Sequence, residues 1–243
     1  MVITPDVWLS DIFTYPVFRL DVQTAPVELG NEVSKFLAEY KRAMCYVKFP
    51  VRDVALTRSL VRDGFYPVDV NVTFEFRSDV PSSAITSSSI TISYDQEWYP
   101  EALRIAGECF QYSRFHLDPL IPKSIADLIK QQWVQNYIEK KRGDVLMIAR
   151  KEDVVVGFLA AALIQEENRH NAVIELVGVD RSSQGQGAGK ALVGEFISLY
   201  KAKCHSLQVG TQAANIPSMR LYERMGFSII DSKYVMHRHH GSP

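Results

Sequence analysis

The chain has 243 residues, 47% of them hydrophobic, enough to bury one large core or two modest ones. Its formal net charge of −1 excludes the broad positive field that nucleic acid or an anionic membrane surface would require. No window approaches an uninterrupted membrane span, and the three cysteines, Cys45, Cys109 and Cys204, have neither metal-ligand spacing nor the even count of a disulfide framework, so a reduced, cytoplasmic setting is expected.

Hydrophobic periodicity predicts a strand over 18–22, a helix over 27–40, a strand over 45–49, a helix over 54–63 and a long strand over 66–76. Together these make a small α/β N-terminal domain, 1–80. Hydroxyl residues then replace the periodicity, and 81–89 reads as a linker. A second domain, 90–243, opens with a short strand over 90–94, a helix over 97–110 and a longer helix over 125–142 that Gly143 ends. Strands over 145–150, 154–165 and 172–179 follow, with a turn at 166–171. The next helix carries Leu192, Val193, Phe196, Ile197 and Tyr200 at helical spacing, a stripe that packs on a sheet. A buried strand over 206–211, a helix over 217–225 and a final strand around 234–237 complete the pattern.

The turn between the strand at 172–179 and the helix after it reads DRSSQGQGAGK. A helix start leaves backbone N–H groups without partners at the positive end of the peptide dipoles, so an anion belongs there. Gly185, Gly187 and Gly189 remove the Cβ atoms that would keep a pyrophosphate from those groups. Taken alone, the same glycines would also suit a flexible loop before an ordinary helix.

They do not stand alone. Gln184, Gly187 and Gly189 in a QxxGxG pattern after a strand, with Asn215 and with Tyr222 four residues before Gly226, resemble the GNAT superfamily of CoA-dependent N-acetyltransferases. The resemblance implies a GNAT fold of the α+β type: a mixed, mostly antiparallel central sheet flanked by helices. It implies acetyl-CoA or another short acyl-CoA, hydroxybutanoyl-CoA included, as acyl donor, with no metal. Residues Gln184, Gly185, Gln186, Gly187, Ala188, Gly189 and Lys190 would hold the pyrophosphate, main-chain groups of Val177 and Val179 the pantetheine, and Asn215 its amides. Tyr222 would donate a proton to the departing thiolate, which a phenol can do at neutral pH without being ionised.

Glu175 interrupts an apolar strand, and simple alternation places it on the face of Val177 and Val179. Partial burial would raise its pKa towards that of a general base; a strand-edge glutamate paired with a lysine fits the sequence equally. A water chain, His116 or Asp118 are the other candidates for the base. The histidines at 237, 239 and 240 read as a solvated tail cluster, Cys109 as an inert helix residue, and Trp133 as either a cleft residue or a core residue.

A narrower likeness covers most of the chain. The segment 109–122, with QQWVQNYIEKKRG and DIFTYPVFRL, resembles bacterial dTDP-fucosamine acetyltransferases. It implies a nucleotide-linked amino-dideoxy sugar as acceptor, in the synthesis of surface polysaccharide, and is compatible with a homodimer. Ser113, Arg114 and Phe115 would bind that acceptor, since guanidinium can hold a diphosphate and an aromatic can stack on a base or sugar. The alternatives are a protein N-terminal or lysine acetyltransferase and a non-catalytic acyl-CoA-binding regulatory module. Gln184, where many relatives have arginine, and Glu175 depart from the pattern. Finally, SLVRDGFYPVDV echoes RLYERMGFSIID, aligning Gly64 with Gly226; a degenerate copy of the same fold and chance both account for it.

Overall fold

The first half of the chain forms β1 (Val2–Pro5), α1 (Val7–Phe13), β2 (Val17–Asp21), α2 (Glu32–Leu37), β3 (Ala43–Pro50), α3 (Val54–Arg62) and β4 (Tyr66–Phe76). The second forms β5 (Ile90–Ser93), α4 (Tyr99–Glu108), α5 (Arg114–Leu117), α6 (Lys123–Ile138), β6 (Val145–Lys151), β7 (Val154–Glu166), β8 (Arg169–Val179), α7 (Ala188–Tyr200), β9 (Ser206–Gln212), α8 (Ile216–Arg224) and β10 (Phe227–His240). The computed structural model describes residues 1–22, 32–77, 89–166 and 169–241. Most of the predicted linker and residues 27–31 of the predicted first helix lie outside them.

Among the described residues all ten strands join one sheet, in the order β1-β2-β3-β10-β4-β9-β8-β7-β6-β5. Pairing is antiparallel except at β2–β3 and β8–β9, so the sheet is mixed and mostly antiparallel, as expected. α7 and α8 pack on one face over Val72, Phe74, Ile174 and Val209. α4 and α6 cover the other through Ile105, Val134, Ile148 and Phe158.

The sequence echo corresponds to a structural repeat. In both β2-α2-β3-α3-β4 and β8-α7-β9-α8-β10 the first two strands are parallel and a helix leads into the last strand through a left-handed glycine, Gly64 (φ 80°) or Gly226 (φ 87°). Asp53 and Asn215 occupy matching N-caps, each accepting a bond from a backbone amide three residues on. The repeats exchange their last strands: β10 lies between β3 and β4, and β4 between β10 and β9. The boundary expected near 81–89 therefore parts two repeats along the chain without parting two sheets in space.

Three elements were not anticipated, β1, α1 and α5, and β10 is far longer than the strand expected at 234–237. Its polar run Asp231, Ser232 and Lys233 hides the strand periodicity. The histidine cluster is likewise no solvated tail. His237 is fully buried in mid-sheet, and Asp118 accepts hydrogen bonds from His237 Nδ1 at 2.6 Å, His239 Nε2 at 2.9 Å and the Tyr66 hydroxyl at 2.8 Å. Burial alone would raise the Asp118 carboxyl, but those donors outweigh it and hold it well below the usual carboxylate range. The network ties α5 to β4 and β10.

Candidate active site

The site begins with one unpaired residue. Between β7 and β8 the register passes from Ala160↔Leu176 to Ala161↔Ile174, leaving Glu175 as a β-bulge. A bulge bends its strand, and β8 pairs with β9 only from Asn171 to Ile174. Beyond that point the two strands part, and residues 174–179 and 209–212 border a cleft of about 1040 Å³. The bulge also exchanges the faces. Ile174 packs beneath α7, Leu176 packs on the α4/α6 side, and Val177 and Val179 return to the α7 side. Gly178 is required by crowding, since a Cβ there would stand 2.6 Å from Phe158 Cε1 and 2.8 Å from Cys109 Sγ.

That exchange corrects the expectation for Glu175, whose side chain does not share a face with Val177 and Val179. Its carboxylate accepts from Arg142 Nε and Nη2 at 2.6 Å each, from the Tyr137 hydroxyl at 2.7 Å and from Trp133 Nε1 at 3.2 Å. Burial would raise its pKa, but the bonds from Arg142 and Tyr137 outweigh that and lower it. A carboxylate so engaged is a poor proton acceptor. Glu175 pins the bulge to α6 and the segment that follows it, and Trp133 belongs to that clamp.

At the other end of the cleft, Gly185 (φ 77°) and Gly187 (φ 96°) turn the chain into α7. The first bond of that helix runs from Ala191 N to the Gly187 carbonyl, so the amides of Ala188, Gly189 and Lys190 precede it without helical partners. Gln184, Gly185, Gly187, Ala188, Gly189 and Lys190 border the cleft. Gln186 does not, because its side chain bonds Ser182 O and Lys151 Nζ on the outside. Arg220 and Arg224, one helical turn apart on α8, add positive charge to the same cleft. Sequence reasoning missed them, although their spacing just after Asn215 was legible.

Tyr222 is 2% exposed, packed against Phe74 and Phe227 and bordering the cleft. Burial pushes its phenol up, so the hydroxyl keeps its proton at neutral pH. Asn215 also borders the cleft while its side chain caps α8 through Ser218 N at 3.3 Å.

The Ser113-Arg114-Phe115 run divides. Ser113 borders the cleft, whereas Phe115 is a core residue, 2% exposed, and the Arg114 guanidinium lies 3.9 Å from the Tyr46 ring centroid and 3.4 Å from His237 Nε2. Neither Arg114 nor Phe115 borders the cleft. The expected stacking and diphosphate roles are therefore corrected: Phe115 is buried among apolar side chains and Arg114 is already stacked on Tyr46. Asp118, another candidate base, is consumed by the histidine network. Cys109 borders the cleft, but burial pushes its thiol up to about 12, so it stays a protonated thiol.

Ser113 is instead the first member of a relay. Its Oγ lies 2.6 Å from His116 Nδ1, and His116 Nε2 lies 3.0 Å from Asp127 Oδ1. Asp127 selects the tautomer that carries its proton on Nε2, which leaves Nδ1 free to accept from the serine. Burial lowers the His116 pKa and the Asp127 carboxylate opposes it, with a net fall. Beside this relay, Lys130 of α6 is buried yet reaches the same cleft. It was also missed, although a lysine within the apolar series Ala126, Ile129, Val134 and Tyr137 breaks the helical stripe visibly.

Comparison with known proteins agrees with this geometry. Residues 100–227 match the family model described as Acetyltransferase (GNAT) family. Over 134 residues the chain is 29% identical to the spore coat polysaccharide biosynthesis protein SpsD of Bacillus subtilis, covering 55% of this chain and 45% of that protein. It is 33% identical to N-acetylaspartate synthetase of Xenopus tropicalis, covering 51% and 45%. The chain thus spans less than half the length of these curated relatives. A GCN5-related N-acetyltransferase from Sphaerobacter thermophilus superposes with a TM-score of 0.63 at 15% identity, over 93% of this chain and 74% of that one, a likeness of fold.

Proposed function

The chain belongs to the GNAT acetyltransferase family, and from that membership we propose that it moves an acetyl or other short acyl group from acyl-CoA to the amine of a nucleotide-linked amino sugar. The observation that carries the reading is one continuous cleft bordered by the glycine turn, the splayed strands, Tyr222 and Ser113. The CoA pyrophosphate suits the amides of Ala188 to Lys190 together with Arg220 and Arg224. Main-chain groups beyond the bulge, at Val177 and Val179, suit the pantetheine amides, and Asn215 stands beside them. The sugar acceptor draws on the likeness to a polysaccharide biosynthesis protein and on the SRF segment, of which Ser113 alone remains at the cleft.

In the reaction proposed, the acceptor amine attacks the thioester carbonyl, the N–C bond forms and the C–S bond breaks. The ammonium proton passes to Ser113 Oγ as the serine proton passes to His116 Nδ1, while Asp127 holds the opposite ring nitrogen. Tyr222 gives its proton to the departing thiolate. The relay predicts an acid limb in kcat/KM, because His116 must be neutral to accept. His116→Asn abolishes that limb and lowers kcat by ~10²-fold; an unchanged limb would remove the relay from the mechanism. The acceptor is tested by mass increase of dTDP-amino sugars incubated with acetyl-CoA and hydroxybutanoyl-CoA. No turnover of any nucleotide sugar would sink the sugar reading while leaving acyl transfer to another amine open to the same assay.

A further inference from the structure

Lys130 carries a charge that the fold does not balance. It lies on the face of α6 turned to the sheet and is 8% exposed. Its Nζ stands 5.0 Å from the centroid of Phe110 and 5.0 Å from that of Trp133. Two aromatic faces attract a cation but offer its N–H donors no lone pair, which leaves those donors to whatever occupies the cleft. Among the described residues Lys130 makes no ion pair and no hydrogen bond, and the nearest influences on it are Arg114, of like sign, and the protonated thiol of Cys109. Burial brings the ammonium down to about 8, so near neutral pH the charged form persists at a cost in stability.

The ammonium is buried but not sealed, since Lys130 borders the cleft together with Cys109, Phe110, Ser113 and Gly178. Its position also decides which substrate it faces. The anion cradle for CoA opens α7 on one face of the sheet, whereas α6 covers the opposite face. A phosphate seated at Ala188 to Lys190 is held from the α7 side of the cleft, whereas Lys130 enters it from the α6 side. We propose that Lys130 is the receptor for an oxyanion, a phosphate or carboxylate, carried by the amine-bearing acceptor and held beside Ser113. The inference rests on reading the cleft as a two-substrate acyl-transfer site. It adds a selection rule: amines that bear an anionic group within reach of Lys130 are acceptors, and neutral amines of the same size are poor ones. Isolated anions should bind too, because the receptor is preformed by two rings and a helix.

Calorimetry on the full chain with saturating CoA, using dTDP and succinate as probes, tests the diphosphate and the carboxylate separately. The wild type is expected to bind at least one of them. Lys130→Met weakens that binding ~10- to 100-fold, leaves CoA affinity unchanged and raises the melting temperature by ~3–8 °C through loss of the unbalanced charge. Lys130→Arg keeps anion binding, which separates a lost charge from a damaged fold. Equal anion binding by wild type and Lys130→Met, or no binding of either probe to the wild type, overturns the proposal. The two readings fail apart. Turnover of a dTDP-amino sugar by Lys130→Met at the wild-type KM would sink the receptor and keep the sugar reading. Loss of succinate binding in Lys130→Met, with no nucleotide sugar ever turned over, would keep the receptor and sink the sugar.

Discussion

The two repeats of this molecule share their scaffolding and differ in their equipment. Helix caps at Asp53 and Asn215, left-handed glycines at 64 and 226, and parallel leading strands recur in both. Both carry a bulge, at Val68 on β4 in the first and at Glu175 on β8 in the second, but only the second has one in its leading strand. β2 stays paired with β3 from Val17 to Leu20 without a shift, whereas β8 leaves β9 after Ile174. At the position of Tyr222 the first repeat has Leu60, fully buried. A cleft thus needs few departures from a well-paired sheet: one unpaired residue, a glycine turn and one hydroxyl.

The widest separation is expected at that matched pair. Tyr222→Phe should lower kcat by ~10²- to 10³-fold with an unchanged melting temperature. Leu60→Ala should cost ~2–5 kcal/mol of stability and leave the KM for acyl-CoA alone. A Tyr222→Phe variant with full kcat would erase the functional distinction between the repeats. The seam where the repeats exchange strands comes next. Burial, opposed by Asp118 and reinforced by Arg114, takes the pKa of His237 from its ordinary 6.5 down to about 4. In the unfolded chain the imidazole takes its proton near 6.5, so between these values the unfolded state binds more protons and stability falls as pH falls, by roughly 2–3 kcal/mol across the window. Urea midpoints measured from pH 7.5 to 4.5 would show the slope, and His237→Gln should flatten it.

The bulge supplies a smaller effect. Glu175→Gln should lose ~1–3 kcal/mol, discounted for the part-exposed Arg142, and keep the wild-type pH–rate profile. Movement of the acid limb in that variant would restore Glu175 as a base. Last, Gly64→Ala and Gly187→Ala both place a Cβ at positive φ, a strain of ~1–2 kcal/mol each. The KM for acyl-CoA should rise ~10-fold in Gly187→Ala and stay put in Gly64→Ala.

What could be read from the sequence was local. β4 was predicted over its full extent because Tyr66 to Phe76 alternates cleanly, and the glycine turn was recognisable because helix starts have a fixed chemistry. The site's other half depended on register. Nothing in AVIELVGV shows that Glu175 is skipped by β7, yet that single omission puts Val177 and Val179 on the face opposite its side chain, which meets Arg142 instead, and reverses its expected role. Ser113 could be named as a cleft residue from its motif. Its neighbours Arg114 and Phe115 could not be placed, because α5 is a single turn whose facing is set by β3 and β10. The relay through Asp127 spans two helices, and the strand exchange spans two repeats; both are tertiary facts with only faint local traces. Lys130 is the exception, a lysine in an apolar stripe that periodicity alone could have flagged.

β10 has a bearing on how the protein is made. It is translated after every other strand of the described residues, yet it fills the gap between β3 and β4. Until it leaves the ribosome, β3 and β4 lack the partner that each pairs with in the folded sheet, and contacts separated by well over a hundred residues are still to be made. Nascent chains arrested before Phe227 should therefore bind chaperones and resist compaction, with protease protection of β3 and β4 appearing together and only once β10 has emerged.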